Sequence, residues 1–132
     1  MRARTGLVLA LGLLACGGCG KKSTDQLLED LKSSQERERL IAVRLLAQRT
    51  GDAAQVVPAL IRALTDEGND IRLSAAVGLG YFGEEARDAI PALQAAQRDR
   101  DARVREAAAV ALSRIDPVRF PVPPRGRSGK RR

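Results

Sequence analysis

The sequence predicts an all-α protein, a short α-solenoid of about three antiparallel helix pairs with a 33-residue period. The first observation is that Val-Pro-Ala-Leu at 57–60 returns as Ile-Pro-Ala-Leu at 90–93, and Ala-Ala-Val at 75–77 returns at 108–110. A fixed period of this size is the signature of stacked repeats. The second observation is composition: there are only one Tyr and two Phe among 132 residues, so Ala, Leu, Val and Ile must form the core. Such a core suits closely packed helices.

A more divergent copy precedes these two, so we predict three units within a repeat domain at 24–116. The same shift aligns Leu27, Arg39 and Leu46 with Leu60, Arg72 and Leu79. Divergence is expected of a terminal unit, because one of its sides faces solvent. Its first helix is predicted to start at Thr24, a good helix-starting residue. A second amphipathic run follows the two serines at 33–34.

Each unit is interpreted as two helices joined by a short turn, and the turns are expected at 33–35, 66–69 and 99–101. Pro58 and Pro91 hold the same place in their units, and we expect them near the start of the first helix, where a missing N–H costs least. Gly78 and Gly80 each weaken a helix by about 1 kcal/mol relative to Ala. They predict a close approach of the neighbouring helix.

The combined pattern resembles the HEAT and HEAT-like (phycobilin-lyase type) repeat family. It consists of Val-Pro-Ala-Leu at 57–60, Asp66 in the turn, Ile-Arg at 71–72 and Ala-Ala-Val-Gly-Leu-Gly at 75–80. In that family a turn Asp and an Arg six residues later form a structural ladder along the solenoid. The resemblance therefore implies ladder roles for Asp66, Arg72, Asp99 and Arg105. The first unit departs from the pattern, because Ser33 stands where the Asp is expected.

Residues 1–15 are typical of a signal peptide. Two arginines precede an apolar run at 6–14, which is too short to cross about 30 Å of hydrocarbon. Leu-Leu-Ala-Cys at 13–16 resembles the lipobox of bacterial lipoproteins, although Leu14 stands where a small residue is usual. The resemblance implies export, lipidation of Cys16 and a tether at 16–23. Gly17 is not the Asp of an inner-membrane retention signal, so the outer membrane or its periplasmic face is the expected destination.

Other interpretations of the two cysteines fit less well, although ordinary secretion with cleavage nearby stays open. A thioredoxin-like Cys-x-x-Cys should lie beside a βαβ pattern, which is absent. A zinc site would need two further ligands, and the chain has no His and only Cys16 and Cys19. We therefore expect neither a metal site nor a bound cofactor.

Residues 117–132 form a Pro-rich and then basic tail that should be mostly disordered. Within it Val118, Phe120 and Val122 alternate with other residues. We predict that this segment folds back over the third unit with Phe120 as its anchor, whereas the competing interpretation leaves it free. The basic end is either solvated or adheres to anionic lipid or another polyanion.

The net charge of +7 does not indicate nucleic-acid binding by the folded body. Two positive charges lie at Arg2 and Arg4 and six lie after Asp116, while the body between holds 15 basic and 16 acidic residues. A basic phosphate-binding face on a nearly neutral body is not supported. Nucleic acid is therefore an improbable partner, and such binding would depend on the tail.

No catalytic constellation is present in the sequence. There is no His to act as a general base, and no glycine-rich phosphate loop follows a strand. Ser74 and Ser113 have no base at triad spacing. We therefore predict a protein that is not an enzyme.

A protein-binding surface is the remaining candidate. In HEAT-like repeats the second helices line the concave side, which implies a partner surface formed by Arg44, Leu73, Val77, Tyr81 and Arg114. A Tyr among aliphatic residues and beside Arg has the composition of a protein interface. The alternative is that Leu73 and Val77 belong to the core between repeats.

These features predict a lipid-anchored, non-catalytic scaffold or adapter that binds an unknown protein at the bacterial cell envelope. One alternative is a secreted or periplasmic accessory or chaperone to a cofactor-handling, lyase-like enzyme. A further alternative is a basic adapter for nucleic acid or lipopolysaccharide.

Overall fold

The computed structural model describes residues 20–122, which form six α-helices. These are α1 (Thr24–Asp30), α2 (Glu36–Leu46), α3 (Ala53–Ala63), α4 (Asn69–Phe82), α5 (Ile90–Ala96) and α6 (Ala102–Ile115). Short 3-10 segments at Thr50–Asp52 and Gly83–Ala89 connect the units. Residues 20–122 contain no strand, and the predicted all-α solenoid is confirmed. The predicted signal peptide at 1–15, Cys16 and the basic end at 125–132 lie outside the described residues.

The helices form three consecutive pairs, α1 with α2, α3 with α4, and α5 with α6. The second helices stack side by side, because α4 contacts both α2 and α6 and makes its most extensive contact with α6. Within the described range no helix is both long and apolar enough to cross a membrane.

The core repeats with the sequence period. The equivalent leucines of the three units are all at most 1% exposed: Leu27, Leu60 and Leu93 on the first helices, and Leu46, Leu79 and Leu112 on the second. Each unit thus buries the same two large side chains between its helices and its neighbours. This arrangement agrees with three stacked copies of one structural unit.

The helix ends carry recognisable signals. Ser23 caps α1 in a capping box, since its hydroxyl accepts from the Gln26 N–H and the Gln26 side chain accepts from the Ser23 N–H. Asp101 caps α6 by accepting from the Arg103 N–H. After α4 the chain turns at Gly83, whose φ of 54° falls in the left-handed region that favours glycine.

The two prolines do not occupy equivalent helical positions, so the prediction for Pro58 is wrong. Helix α3 begins at Ala53, and Pro58 lies inside it. Pro91 lies in the first turn of α5, as expected, because a 3-10 segment replaces the extra helical turn in the third unit. Pro58 has no N–H for the carbonyl of Ala54, so α3 lacks one internal hydrogen bond there.

Gly78 and Gly80 lie at the junctions between second helices, as predicted. A Cβ on Gly78 would lie 2.8 Å from the Cβ of Ala47, the residue directly after α2. A Cβ on Gly80 would lie 3.2 Å from the Cα of Ala111 in α6. The absent side chains therefore allow α4 to approach both neighbours closely.

The segment after α6 is not extended, as a common apolar side for Val118, Phe120 and Val122 would require. Residues 117–119 form a turn, in which the Phe120 N–H donates to the Asp116 carbonyl at 2.9 Å. Phe120 is half-buried and packs against the core, whereas Val118 is 92% and Val122 65% exposed. Only the Phe120 anchor of the prediction holds, because a turn cannot keep alternate side chains on one face.

Candidate functional site

A ladder of ion pairs joins the turns of successive units. Arg39 donates from Nε and Nη2 to the two carboxylate oxygens of Asp66, at 2.9 and 3.1 Å. Arg72 makes the same bidentate contact with Asp99, at 2.8 and 3.0 Å. Each pair spans 27 positions, so it links an arginine to the turn of the following unit.

The same arginines also close the turn of their own unit. Nη1 of Arg72 donates to the carbonyls of Asp66 and Glu67 at 2.9 and 3.1 Å. Arg105 donates in the same way to the carbonyls of Asp99 and Arg100, at 2.8 and 3.2 Å. Arg105 therefore occupies the predicted position, but its hydrogen bonds in the described chain go to turn carbonyls.

Arg39 is the ladder member that sequence reasoning missed. It also donates to the turn carbonyls of Ser33 and Ser34, at 2.9 and 3.2 Å. The first unit was considered a departure because Ser33 replaces the turn Asp. The pairing crosses units, however, so Arg39 needs Asp66 rather than a residue at 33. The recurrence of Arg at 39, 72 and 105 was the available signal.

The ladder carboxylates are held in the ionised state. The Arg72 guanidinium, aided by the Asp101 N–H, lowers the pKa of Asp99 below its ordinary value, although burial opposes this. Burial alone would raise the pKa of Asp66, but hydrogen bonds from Arg39 and the Gly68 N–H together lower it. Hydrogen bonding to these carboxylates raises the pKa of both arginines.

This geometry gives the ladder a structural role. The carboxylate oxygens already accept from guanidinium and backbone donors, and no buried side-chain polar atom between residues 20 and 122 lacks a partner. The same part of the chain holds no cluster of acidic, Cys or His residues suited to a metal ion.

An open groove lies between α4 and α6, with a volume of about 390 Å³. Its lining is mostly aliphatic and small, with Tyr81 and three charged residues: Leu73, Val77, Gly80, Tyr81, Arg103, Glu106, Ala107, Val110, Ala111 and Arg114. Four of the five residues predicted for the partner surface therefore meet in one place. Arg44 is exposed on α2 and does not line the groove.

The groove keeps apolar side chains in contact with solvent. Tyr81 is 58% exposed, Val110 42% and Val77 36%, whereas Leu73 is partly buried and packs against the core. The two interpretations, a partner surface and a core between repeats, thus apply to different residues. Leu73 supports the junction of units, and Val77 and Tyr81 face outward.

The two arginines of the groove make different interactions. Arg103 pairs with Asp70 at 3.1 Å and with Asp101 at 2.8 Å. Arg114 lies over the Tyr81 ring, with its guanidinium carbon 5.6 Å from the ring centroid. A cation that rests on an aromatic face keeps its donors available for an incoming carboxylate.

A second apolar surface, on α2, was missed by sequence reasoning. Ile41 is 47% and Leu45 39% exposed. The aligned positions of the second unit hold Ser74 and Gly78, and those of the third hold alanines. The available signal was that the first unit has large aliphatic residues where the other two units have small residues.

Three stacked helix pairs, tied by a ladder and presenting an apolar groove on their second helices, define a helical-repeat scaffold. The family described as HEAT repeats matches residues 24–113. The chain therefore belongs to the HEAT-repeat family.

Two known proteins are similar to this chain in structure or sequence. The solved complex of CpcE and CpcF of phycocyanin lyase from Nostoc sp. PCC7120 is similar, with a TM-score of 0.66 and 32% identity, over 76% of this chain and 40% of that chain. The uncharacterized protein SkfG of Bacillus subtilis (strain 168) is 29% identical over 97 residues, covering 74% of this chain and 56% of SkfG. The chain thus spans about half the length of the proteins it matches.

Proposed function

We propose that this HEAT-repeat protein is a non-catalytic scaffold, held at the bacterial cell envelope by lipid on Cys16, that binds another protein through the α4–α6 groove. The observation that carries the proposal is the exposed set of Val77, Tyr81 and Val110 beside Arg114.

The composition of the groove favours a protein partner. Tyr and Arg are enriched among the residues that dominate binding energy at interfaces, and aliphatic neighbours exclude water around them. The partner segment should carry aliphatic side chains for the floor of the groove. It should also carry a carboxylate for Arg114, whose guanidinium lies over Tyr81.

Site-specific photocrosslinking in intact cells tests the groove. A photoreactive residue at Val110 should capture one partner, and Tyr81→Ala should reduce its yield at least fivefold. A photoreactive residue at Gln94, exposed on α5 outside the groove, is the matched control. Equal capture of that partner from Gln94, or no effect of Tyr81→Ala, would exclude the groove as the binding surface.

The lipobox-like sequence at 13–16 supports the anchor. Labelled fatty acid should enter the parent chain and the Cys19→Ser variant, but not the Cys16→Ser variant, which should also be mislocalised. Label retained by Cys16→Ser would exclude lipidation at this position. Outer-membrane rather than inner-membrane fractionation is expected, because Gly17 carries no retention signal.

A second candidate function is that of an accessory to a cofactor-handling enzyme. The similarity to the phycocyanin lyase complex favours it, and the groove volume falls within the range of about 300–1,000 Å³ usual for small-ligand sites. A free bilin mixed with the purified chain should then change its absorption spectrum. Val77→Glu should abolish that change. An unchanged spectrum at saturating bilin would remove this candidate.

A further inference from the structure

The exposed face of α2 lies at the amino-terminal end of the stack. In the second unit the position aligned with Leu45 is Gly78, which lies against Ala47 at the carboxyl end of α2. In the third unit it is Ala111, which lies against Gly80. In the first unit α2 has no second helix of an earlier unit beside it within residues 20–122, so Ile41 and Leu45 are exposed at the end of the stack.

Cations surround these two aliphatic side chains. Lys21, Lys22 and Arg49 line one cavity together with Leu45 and Gln48. Arg37 and Arg44 are exposed on α2 itself. We refer to the set Lys21, Lys22, Arg37, Ile41, Arg44, Leu45 and Arg49 as the α2 end face.

Carboxylates offset this charge mainly beside Lys22, which pairs with Asp30 at 2.7 Å and lines a second cavity with Asp25 and Glu29. The positive charge of the face therefore rests on Lys21, Arg37, Arg44 and Arg49. Glu38 lies one turn from Ile41 and already accepts from the Ser33 hydroxyl. The α2 end face therefore combines exposed aliphatic side chains with an excess of positive charge, a combination typical of surfaces that lie on anionic membranes.

The chain also enters the fold at this end. The Arg49 guanidinium donates to the Lys22 carbonyl at 2.6 Å, which fixes the entering segment beside the carboxyl end of α2. Cys16 is only four positions upstream of Gly20, the first described residue. A lipid on Cys16 would hold this end of the stack, rather than α6, close to the bilayer.

We propose that the α2 end face docks on an anionic lipid surface, an inference that relies on the Cys16 anchor of the proposed function. Ile41 and Leu45 enter the boundary between headgroups and acyl chains, and the surrounding cations bind lipid phosphates. In this orientation the stack stands on its first unit. The α4–α6 groove is then held away from the membrane, where a protein partner can reach it.

A single tryptophan reports this contact, because the natural chain contains none. The test variant is Ile41→Trp, and the control is Val110→Trp, at a site of similar exposure in the groove. Each full-length chain carries Cys19→Ser and is coupled through Cys16 to a maleimide lipid. The vesicles contain phosphatidylcholine with or without phosphatidylglycerol, and their acyl chains are brominated to quench tryptophan on contact.

The Ile41→Trp variant should be quenched at least threefold more strongly than the Val110→Trp variant, and only with phosphatidylglycerol present. Adding Arg37→Glu and Arg44→Glu should abolish that difference. Equal quenching of both variants, or none, overturns the proposal. A blue shift in the emission of the Ile41→Trp variant without vesicles also overturns the proposal, because the protein itself then covers the face. A shift that depends on protein concentration would mean that a second copy covers it, and a shift that does not would mean that residues upstream of 20 cover it.

The synthetic tether separates this inference from the anchor. If the tethered Ile41→Trp variant is not quenched but Cys16 is lipidated in cells, the docking proposal is refuted and the anchor is not. If the tethered chain docks but cells leave Cys16 without lipid, the anchor is refuted and the docking surface is not.

Discussion

At the scale of single residues, Arg72 shows how one side chain can fix both a turn and a repeat junction. Its Nη1 donates to two carbonyls of its own turn, and its Nε and Nη2 donate to Asp99 of the next unit. Only a guanidinium offers donors in this planar, forked arrangement, so Lys could not replace it. The side chain is 6% exposed, which makes loss of its partner costly.

Asp99→Asn should destabilise the protein by about 2–4 kcal/mol, because it leaves a buried guanidinium without its counter-charge. Denaturant unfolding measures the change. The control is Arg103→Gln, since Arg103 is 59% exposed and solvent screens its pairs with Asp70 and Asp101, so its loss should destabilise the protein much less. Equal losses for the two variants would contradict a structural role for the ladder.

The contribution of Asp99 should depend on pH. Its folded pKa lies below the ordinary value of about 3.9, so the ionised pair stabilises the fold above that pH. The stabilisation is lost as pH falls through the lowered pKa. The difference in unfolding free energy between the parent and Asp99→Asn should therefore be constant near neutrality and shrink below about pH 4. A difference unchanged down to the acid limit of folding would refute the ionic contribution.

Phe120→Ala should cost about 1–2 kcal/mol, because the half-buried ring packs against the core after α6. Its control is Val118→Ala two residues earlier, which should change stability by less than about 0.5 kcal/mol since Val118 is 92% exposed. Thermal melting of both variants distinguishes an anchored Phe120 from a free tail. Identical melting temperatures would favour the free tail.

At the scale of elements, the close packing of the second helices requires glycine at the positions where the helices meet. Gly78→Ala should destabilise by about 1–3 kcal/mol, because overlap with Ala47 outweighs the gain of about 1 kcal/mol in helix propensity. Gly51→Ala is the control, since nothing lies within 4 Å of its Cβ position. It should be neutral or slightly stabilising. A stabilised Gly78→Ala variant would mean that α4 can shift away from α2 at little cost.

The period predicted which helices exist, but not where each begins. Pro58 and Pro91 align in sequence, yet α3 has an additional turn before its proline and α5 does not. The residues before each proline decide this: Ala-Ala-Gln at 53–55 favours helix, whereas Gly83 turns the chain and a 3-10 segment follows. Local propensity thus differs between copies that share a core.

At the scale of the whole molecule, we expect each unit to be stable only when it packs against its neighbours. A chain that ends at residue 89 lacks α5 and α6 and exposes the α4 surface around Gly80. It should aggregate or lose cooperative melting. The matched control ends at residue 122 and keeps every described contact. Light scattering and circular dichroism report both outcomes, and a monomeric, cooperatively melting chain ending at 89 would disprove interdependence of the three units.

Much of the partner surface was predictable, because Leu73, Val77 and Tyr81 lie four residues apart on one helix and the resemblance to HEAT-like repeats implies that second helices line the concave side. The α2 end face was not recognised, because hydrophobicity alone does not distinguish a core position from one that lacks its neighbour. Ile41 and Leu45 become informative only when the stack shows that, within the described residues, no second helix of an earlier unit packs against α2. The position of α2 at the end of the stack, and not the sequence around it, thus shows that these two residues form a surface.

The direction of the ladder determines how a chain like this can grow. The middle unit offers Asp66 to the unit before it and Arg72 to the unit after it. A tandem duplication of residues 53–85 would therefore give every new arginine an aspartate and every new aspartate an arginine. A copy placed ahead of the first unit would instead present its arginine to Ser33, which has no carboxylate. Duplication of the middle unit thus preserves the ladder, whereas an added copy ahead of the first unit interrupts it.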